Sequence, residues 1–453
     1  MLSSMNTTPS ASSGADLELP EPLIIPQGKH PVSEKNIDPD ALMVMRRLIE
    51  AGFAAYLVGG GVRDLFLGKT PKDFDISTSA RPGQVRKIFR NSRIIGRRFR
   101  LVQVFFGGGK IIEVATFRRR SEYEIGGEDV VLPANNSFGN PAEDAFRRDL
   151  TINALFYEIE GSTVIDYIGG VKDLHDRIVR MVGDPERRIT RDPVRMMRVI
   201  RHAARAGFAV EPITWEAICR HSEKLGLCPV SRIRDELFKD LKGGASSTWA
   251  KLACDSGLFY AIFPFYREVL AAHPEAAANM RRLLRILSVV DRLAEAGHII
   301  TDGLLITLLL VPWAEVEMDL SAAQTQKESY LLSRNIRNSL GEMFGKLNIN
   351  RAMQDDVARS LATLPLLTKH DNGTGWPKWL QKKSYFKNGM HIFRIMVEVN
   401  GGPMAGDLPF ATPKPVSNHG ETAPKRPHPL RSGGRGPAFA LKTKGGVFGF
   451  RKD

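Results

Sequence analysis

The chain has 453 residues, with 64 Lys and Arg against 50 Asp and Glu, and a formal net charge of +14. That length exceeds one compact core and implies two or three domains, while 43% hydrophobic and 25% charged residues are ordinary for a soluble globular protein. The excess of cations favours polyanionic partners, nucleic acid ahead of an acidic membrane surface, and three cysteines at no zinc spacing (Cys219, Cys228, Cys254) exclude a disulfide framework.

The first twenty residues lack a basic stretch followed by an apolar core, so no secretory signal is expected, and residues 1–35 read as disordered. Residues 38–51 predict a helix: Leu42, Met45, Leu48 and Ile49 recur at helical spacing, with Asp38 and Asp40 as N-cap candidates and Gly52 as the stop. Short β-rich runs follow (AAYLVGG, DFDIST, LVQVFF, KIIEVATF, INALFYEI), separated by glycines and charged turns, as in an α/β or α+β head. From Pro193 onward the periodicity is helical. The longest apolar run, Leu304–Trp313, is half the length needed to span a bilayer and reads as a buried helix, so no membrane partner is expected. Residues 411–453 hold nine Lys and Arg and two acidic residues, with Phe439, Phe448 and Phe450 interleaved. That composition fits a disordered basic tail able to lie along a nucleic-acid backbone.

The chemistry concentrates in residues 57–77, LVGGGVRDLFLGKTPKDFDIS. A strand ends in Gly59-Gly60-Gly61, where backbone N–H groups can approach a phosphate, and a helix from Val62 to Leu67 turns its N-terminus toward the same place. Arg63 adds a charged donor there. Asp73 and Asp75, two residues apart on a strand, would share one face and repel unless a divalent cation lies between them. This order suits metal-assisted nucleotidyl transfer, in which one Mg²⁺ activates a 3′-hydroxyl and a second stabilises pyrophosphate. Glu113, an acid among apolar strand residues, is a candidate third carboxylate unless an arginine pairs with it. Asp149 is the other contender. Asp192, Arg195 and Arg198 fall at i, i+3 and i+6 and so near one helix face.

The stretch GGGVRD…KDFD resembles motif A of the polymerase-β nucleotidyltransferase superfamily. More narrowly it is similar to the bacterial class of tRNA CCA-adding enzymes and poly(A) polymerases. RRDLTINAL (147–155), DYIGGVKDL (166–174), DPVRMMRVIRHAAR (192–205) and IRDELFKDL (233–241) follow in that class's order. The resemblance covers about residues 38–265.

The resemblance implies an α+β fold: a polymerase-β-like head with a mixed sheet, an all-helical neck and body, and a basic tail. The expected boundaries are 1–35 for the disordered segment, 36–182 for the head, 183–245 for the neck, 246–402 for an RNA-binding body and 403–453 for the tail. It implies Asp73 and Asp75 as Mg²⁺ ligands, and Gly59, Gly60, Arg63, Arg148, Asp149 and Asn153 against the nucleotide. It also implies Asp192 and Arg195 as readers of the incoming base, with Arg198 on phosphate or bracing the pair. Where the class usually has Glu before that Asp, this chain has Arg191, which puts base selectivity in question. Two basic clusters, seven Lys and Arg within 86–100 and Arg118–Arg120, either guide RNA or neutralise the triphosphate, or are solvated faces. IIGRRFRLVQVFFG (94–107) and the basic tail resemble the poly(A) polymerase version. The expected activity is therefore AMP transfer from ATP to RNA 3′ ends in the cytoplasm, on mRNA, with RNA-decay proteins as partners. The alternative is CCA or A addition to tRNA.

Overall fold

Leu23, Ile24 and Ile25 form the first strand, β1 (Leu23–Ile25), by pairing antiparallel with the otherwise open edge of β8 (Thr163–Asp166). The computed structural model describes residues 21–405 except 97–99, 120–137, 345–346, 348 and 372–375. The disorder expected for residues 1–35 therefore does not hold from Leu23 onward. Val32 is buried, and a 3₁₀ turn at Glu34–Asn36 leads into α1 (Pro39–Glu50). A three-residue strand is too short to show a period, and its partner lies about 140 residues away in sequence. Residues 1–20 lie outside the described residues.

Helix α1 begins where Asp38 accepts the Asp40 N–H at 2.9 Å, with Pro39 at the first helical position. It buries Ala41, Val44, Met45 and Leu48. The head then runs β2 (Ala55–Val58), α2 (Gly60–Phe66), β3 (Asp75–Thr78), α3 (Pro82–Ile88), β4 (Ser92–Ile95), β5 (Leu101–Phe105) and β6 (Ile111–Thr116). It continues through α4 (Pro141–Arg147), β7 (Leu155–Glu158), β8 and α5 (Gly170–Asp176). The strands form one sheet in the order β1-β8-β7-β2-β3-β6-β5-β4. Every neighbouring pair is antiparallel except β3 and β6, which run parallel with Asp75 opposite Glu113. Helix α3 joins the parallel pair as part of the crossover such strands require.

The helical part follows. A two-stranded parallel ribbon, β9 (Ile178–Val179) with β10 (Ala209–Val210), brackets α6 (Pro185–Arg191) and α7 (Val194–Ala206). Next come α8 (Pro212–His221), α9 (Val230–Leu241), α10 (Ser246–Asp255), α11 (Leu258–Ile262) and α12 (Ala276–Glu295). The last are α13 (Asp302–Glu317), α14 (Gln326–Met343), α15 (Arg351–Lys369), α16 (Lys378–Gln381) and α17 (Phe386–Val399). The apolar run Leu304–Trp313 is buried within α13, where the Thr307 hydroxyl is satisfied by the Gly303 carbonyl at 2.7 Å. Among the described residues no helix is long and apolar enough to cross a membrane.

One apolar core joins the sheet, through Leu57, Ile76 and Val114, to the helices, through Leu309, Leu361 and Ile395. A smaller cluster of Val58, Phe117, Ala145, Ala154, Phe156 and Ile165 fills the opposite face of the sheet. Chain proximity groups Met1–Pro413 as one unit and Lys414–Asp453 as a second, which lies outside the described residues. Of the expected tail, only residues 403–405 are described. Ala405 is buried there and donates its N–H to Glu398 Oε2 at 2.7 Å.

Candidate active site

Strand β2 runs straight into Gly59, whose φ of +73° is open to glycine at little cost. A Cβ there would also stand 3.1 Å from Arg148 Nη1. Helix α2 starts at Gly60, two residues before the expected Val62, and no side chain caps it. Its first backbone N–H groups thus have no side-chain cap.

Arg63, expected as a charged donor beside the glycine turn, is engaged by protein partners. Nε and Nη2 donate to Asp64 Oδ1 at 2.9 and 2.7 Å, and Nη1 donates to Asn153 Oδ1 at 2.6 Å. Nη1 also lies 3.2 Å from His202 Nδ1 on α7. Arg63 thereby ties the glycine turn to the helix that follows the head. His202 is the residue that sequence reasoning missed at this junction. Its Nε2 stands 3.3 Å from Asn153 Nδ2, so the neutral ring, with one N–H and one lone pair, can accept from only one of these two neighbours. Burial first, then Arg63, Arg201, Arg198 and Arg205, hold its pKa well below the ordinary value, keeping the ring neutral.

The two aspartates are not both inside a strand. Asp75 is the first residue of β3, and Asp73 precedes it on the approach. The carboxylate opposite Asp75 is Glu113 of β6, brought there by the parallel register and held by Gln103 Nε2 at 3.0 Å. Asp75 still touches solvent at the rim, yet the protein crowded around it penalises its charge. That desolvation, with repulsion from Glu113 and Asp73 outweighing attraction from Arg148, raises its pKa to about 6. Carboxylates that hinder one another's ionisation are hard oxygen donors for a divalent cation. Asp73, Asp75 and Glu113 fit that role, although among the described residues no three such side chains are already drawn to ligating distance.

Arg148 sits behind the aspartates. It donates from Nη2 to Asp144 Oδ2 at 3.0 Å and to Ser77 Oγ at 3.3 Å, and from Nη1 to the Asn153 carbonyl at 3.3 Å, with its plane over the Phe156 ring. It braces β3 and the glycine turn from within. Asn153 ends the 3₁₀ turn Thr151–Asn153, which sets its side chain between Arg63 and His202.

Asp149 faces α7. Its oxygens lie 3.2 Å from Arg195 Nε and 2.7 Å from Arg198 Nε, as ion pairs without hydrogen-bond alignment at either Nε. Burial alone would raise its pKa, but Arg198 and Arg195, with Arg188 and Arg118, bring it below the usual carboxylate range. Asp149 is thus already paired with two arginines, whereas Glu113 faces Asp75 across the β3–β6 register.

Asp192 is not in the helix expected to start with it. It caps the end of α6, and α7 begins at Val194. Arg195 approaches Asp192 only to 3.9 Å. The tight partner is Arg232 of α9, whose Nη1 and Nη2 each donate to one Asp192 oxygen at 3.0 Å. A single arginine about 40 residues away carried no sequence signal. Arg191, the unusual neighbour, is the last residue of α6.

The basic clusters divide. Arg86, Lys87, Arg90, Arg93 and Arg100 are exposed. Arg118 and Arg119 lie 3.8 and 3.6 Å from Asp144 and Glu143. Arg97, Arg98 and Arg120 lie outside the described residues.

A glycine turn, convergent carboxylates and an arginine-bearing helix on this mixed sheet define a nucleotidyltransferase fold. Residues 55–180 match the family model described as "Poly A polymerase head domain", and residues 207–270 match "Probable RNA and SrmB-binding site of polymerase A". The chain is 32% identical over 388 residues to poly(A) polymerase I of Haemophilus influenzae, covering 84% of this chain and 85% of that one. The chain therefore belongs to the poly(A) polymerase family. It is 48% identical over 252 residues to poly(A) polymerase I of Escherichia coli O157:H7, a match spanning 54% of each chain, about half the length of that relative. A CCA-adding enzyme of Bacillus subtilis is 38% identical over 229 residues, covering 50% of this chain and 56% of that one. Among solved structures, the Bacillus stearothermophilus CCA-adding enzyme in complex with CTP matches with a TM-score of 0.55 and 25% identity, covering 81% of this chain and 80% of that one.

Proposed function

We propose that the chain is a template-independent polynucleotide adenylyltransferase, moving AMP from ATP to the 3′-hydroxyl of RNA and releasing pyrophosphate. The observation that carries this is Asp75 facing Glu113 beside Asp73 at the mouth of the glycine turn. Asp73, Asp75 and Glu113 would hold Mg²⁺, which when bound lowers the pKa of the attacking hydroxyl and neutralises the leaving pyrophosphate.

The chain's own residues do the rest. The turn at Gly59 and Gly60 presents backbone N–H groups to the triphosphate. Arg63 and Arg148 act from behind, fixing that turn and β3. Asp149 aims Arg195 and Arg198 into the space between head and α7. Asp192 and Arg195 offer an acceptor and donors to the base edge, doing the work of a template strand, and the Arg232 fork fixes the Asp192 carboxylate.

The substrates in this reading are RNA 3′ ends, mRNA first, with RNA-decay proteins as partners and the cytoplasm as compartment. The three free thiols fit a reducing environment. CCA or A addition to tRNA is the second reading, favoured by the similarity to CCA-adding enzymes.

The test is primer extension with purified protein and Mg²⁺, each NTP singly, on oligoadenylate and on tRNA lacking CCA. Long tails from ATP on both RNAs are expected. Addition that stops after a few nucleotides, requires tRNA or uses CTP selects the second reading.

A further inference from the structure

Helix α12 lies outside both matched family regions, yet it carries a groove lined by three arginines, Arg281, Arg282 and Arg285. Arg281, Arg285 and Ser288 recur at i, i+4 and i+7 and so share one face. With Ala278, Val289 and the last turn of α17, they line an open groove of about 780 Å³.

The arginines in and beside this groove fall into two groups. Arg282 is bound to Glu315, at 2.6 Å from Nη2 to Oε1, and to Asn400 Oδ1 at 3.0 Å. Arg292 donates to Glu398 Oε2 at 2.6 Å, and Glu398 also accepts the Ala405 N–H. These pairs tie α12 to α13 and α17, and they neutralise the only carboxylate that lines the groove. Arg281 and Arg285 are exposed, and among the described residues neither guanidinium makes an ion pair or hydrogen bond. Two unneutralised arginines about one helical turn apart, roughly 6 Å along the axis, suit successive anionic groups on a flexible chain. The apolar lining is limited to Ala278, Val289 and Val399, too little to seat a protein helix.

We infer that the groove between α12 and the end of α17 binds the phosphodiester backbone of single-stranded RNA, through Arg281 and Arg285, upstream of the 3′ end. The inference rests on RNA being the substrate class. It places a sequence-independent anchor at a distance from the reacting atoms, because phosphate contacts add affinity without reading bases.

The test measures binding of the full chain to a long oligoadenylate, without ATP, across a salt series. Compared with wild type, R281A/R285A should lose about tenfold in affinity and lower the salt slope by about 1.4, near 0.7 per phosphate contact on a single strand. R281E/R285E should lose more. The KM for ATP and the kcat at saturating primer should not move, and thermal melting should match wild type. Unchanged affinity and slope in both variants would overturn the proposal, as would a loss independent of salt. If the groove instead serves an acidic protein, RNA binding stays intact and the proposal fails. Failure of the wild-type chain to extend any primer would sink the adenylyl-transfer reading, whereas the groove is judged by RNA binding alone.

Discussion

Arg232 grips Asp192 from a neighbouring helix, with two parallel hydrogen bonds of 3.0 Å. The fork geometry fixes the carboxylate plane, and a lysine keeps charge but not the fork. R232A should lower kcat/KM for ATP about tenfold, with R232K only partly restoring it, because one charged hydrogen-bonded pair is worth about 1–2 kcal/mol at a half-exposed site. CTP use should rise relative to ATP. Single-nucleotide kinetics check this; equal losses for ATP and CTP would argue against a selective role.

Asp75 links chemistry to metal and pH. D75N should abolish transfer, by at least ~10³-fold, while leaving the fold intact, since it removes a charge that Glu113 and Asp73 oppose. Its folded pKa of about 6 exceeds the unfolded value near 3.9. Without metal, the ionised carboxylate therefore costs stability increasingly as pH rises from about 4 to 6. A bound cation replaces the proton, so stabilisation by Mg²⁺ should be larger at pH 8 than at pH 5. Thermal melting with and without Mg²⁺ at both pH values reads this directly, and D75N should erase the difference.

Asp149 is expected to act through Arg195 and Arg198. D149A frees both guanidiniums and should raise the KM for ATP and lower kcat/KM by about a hundredfold, roughly 2–3 kcal/mol for two charged contacts. Its depressed pKa gives the opposite pH sign from Asp75. The stability it adds is present above the unfolded pKa and lost as pH falls through the folded one. Acid unfolding of wild type against D149N, followed by circular dichroism, would show the difference below about pH 4.

His202 should stay neutral well into acid solution. Its folded pKa lies below the unfolded value, so the stability that neutrality confers is complete above about pH 6.5 and falls away as pH drops below it. Protonation would set a second cation against Arg63, beside the Asn153 amide. NMR of the His202 ring should show a titration midpoint well below that of a free histidine. H202Q, whose amide oxygen can face Arg63, should keep more activity than H202K.

The sequence by itself determined the parts that are contiguous. The Gly59 turn, the aspartate pair and the arginine-bearing helix each lie within a few residues, although only Asp75 of the pair enters β3. The buried helix at Leu304–Trp313 was legible for the same reason. Tertiary structure alone decided what those parts meet. Glu113 is set against Asp75 by parallel pairing of β3 with β6, and a one-residue slip would turn it to the other face. Arg63 and His202 touch across 139 residues, a contact that local spacing does not announce. Arg232 and Asp149 found their partners through packing of α9 and α7. Such pairings depend on burial and register across the whole core, and no local pattern of residues encodes them.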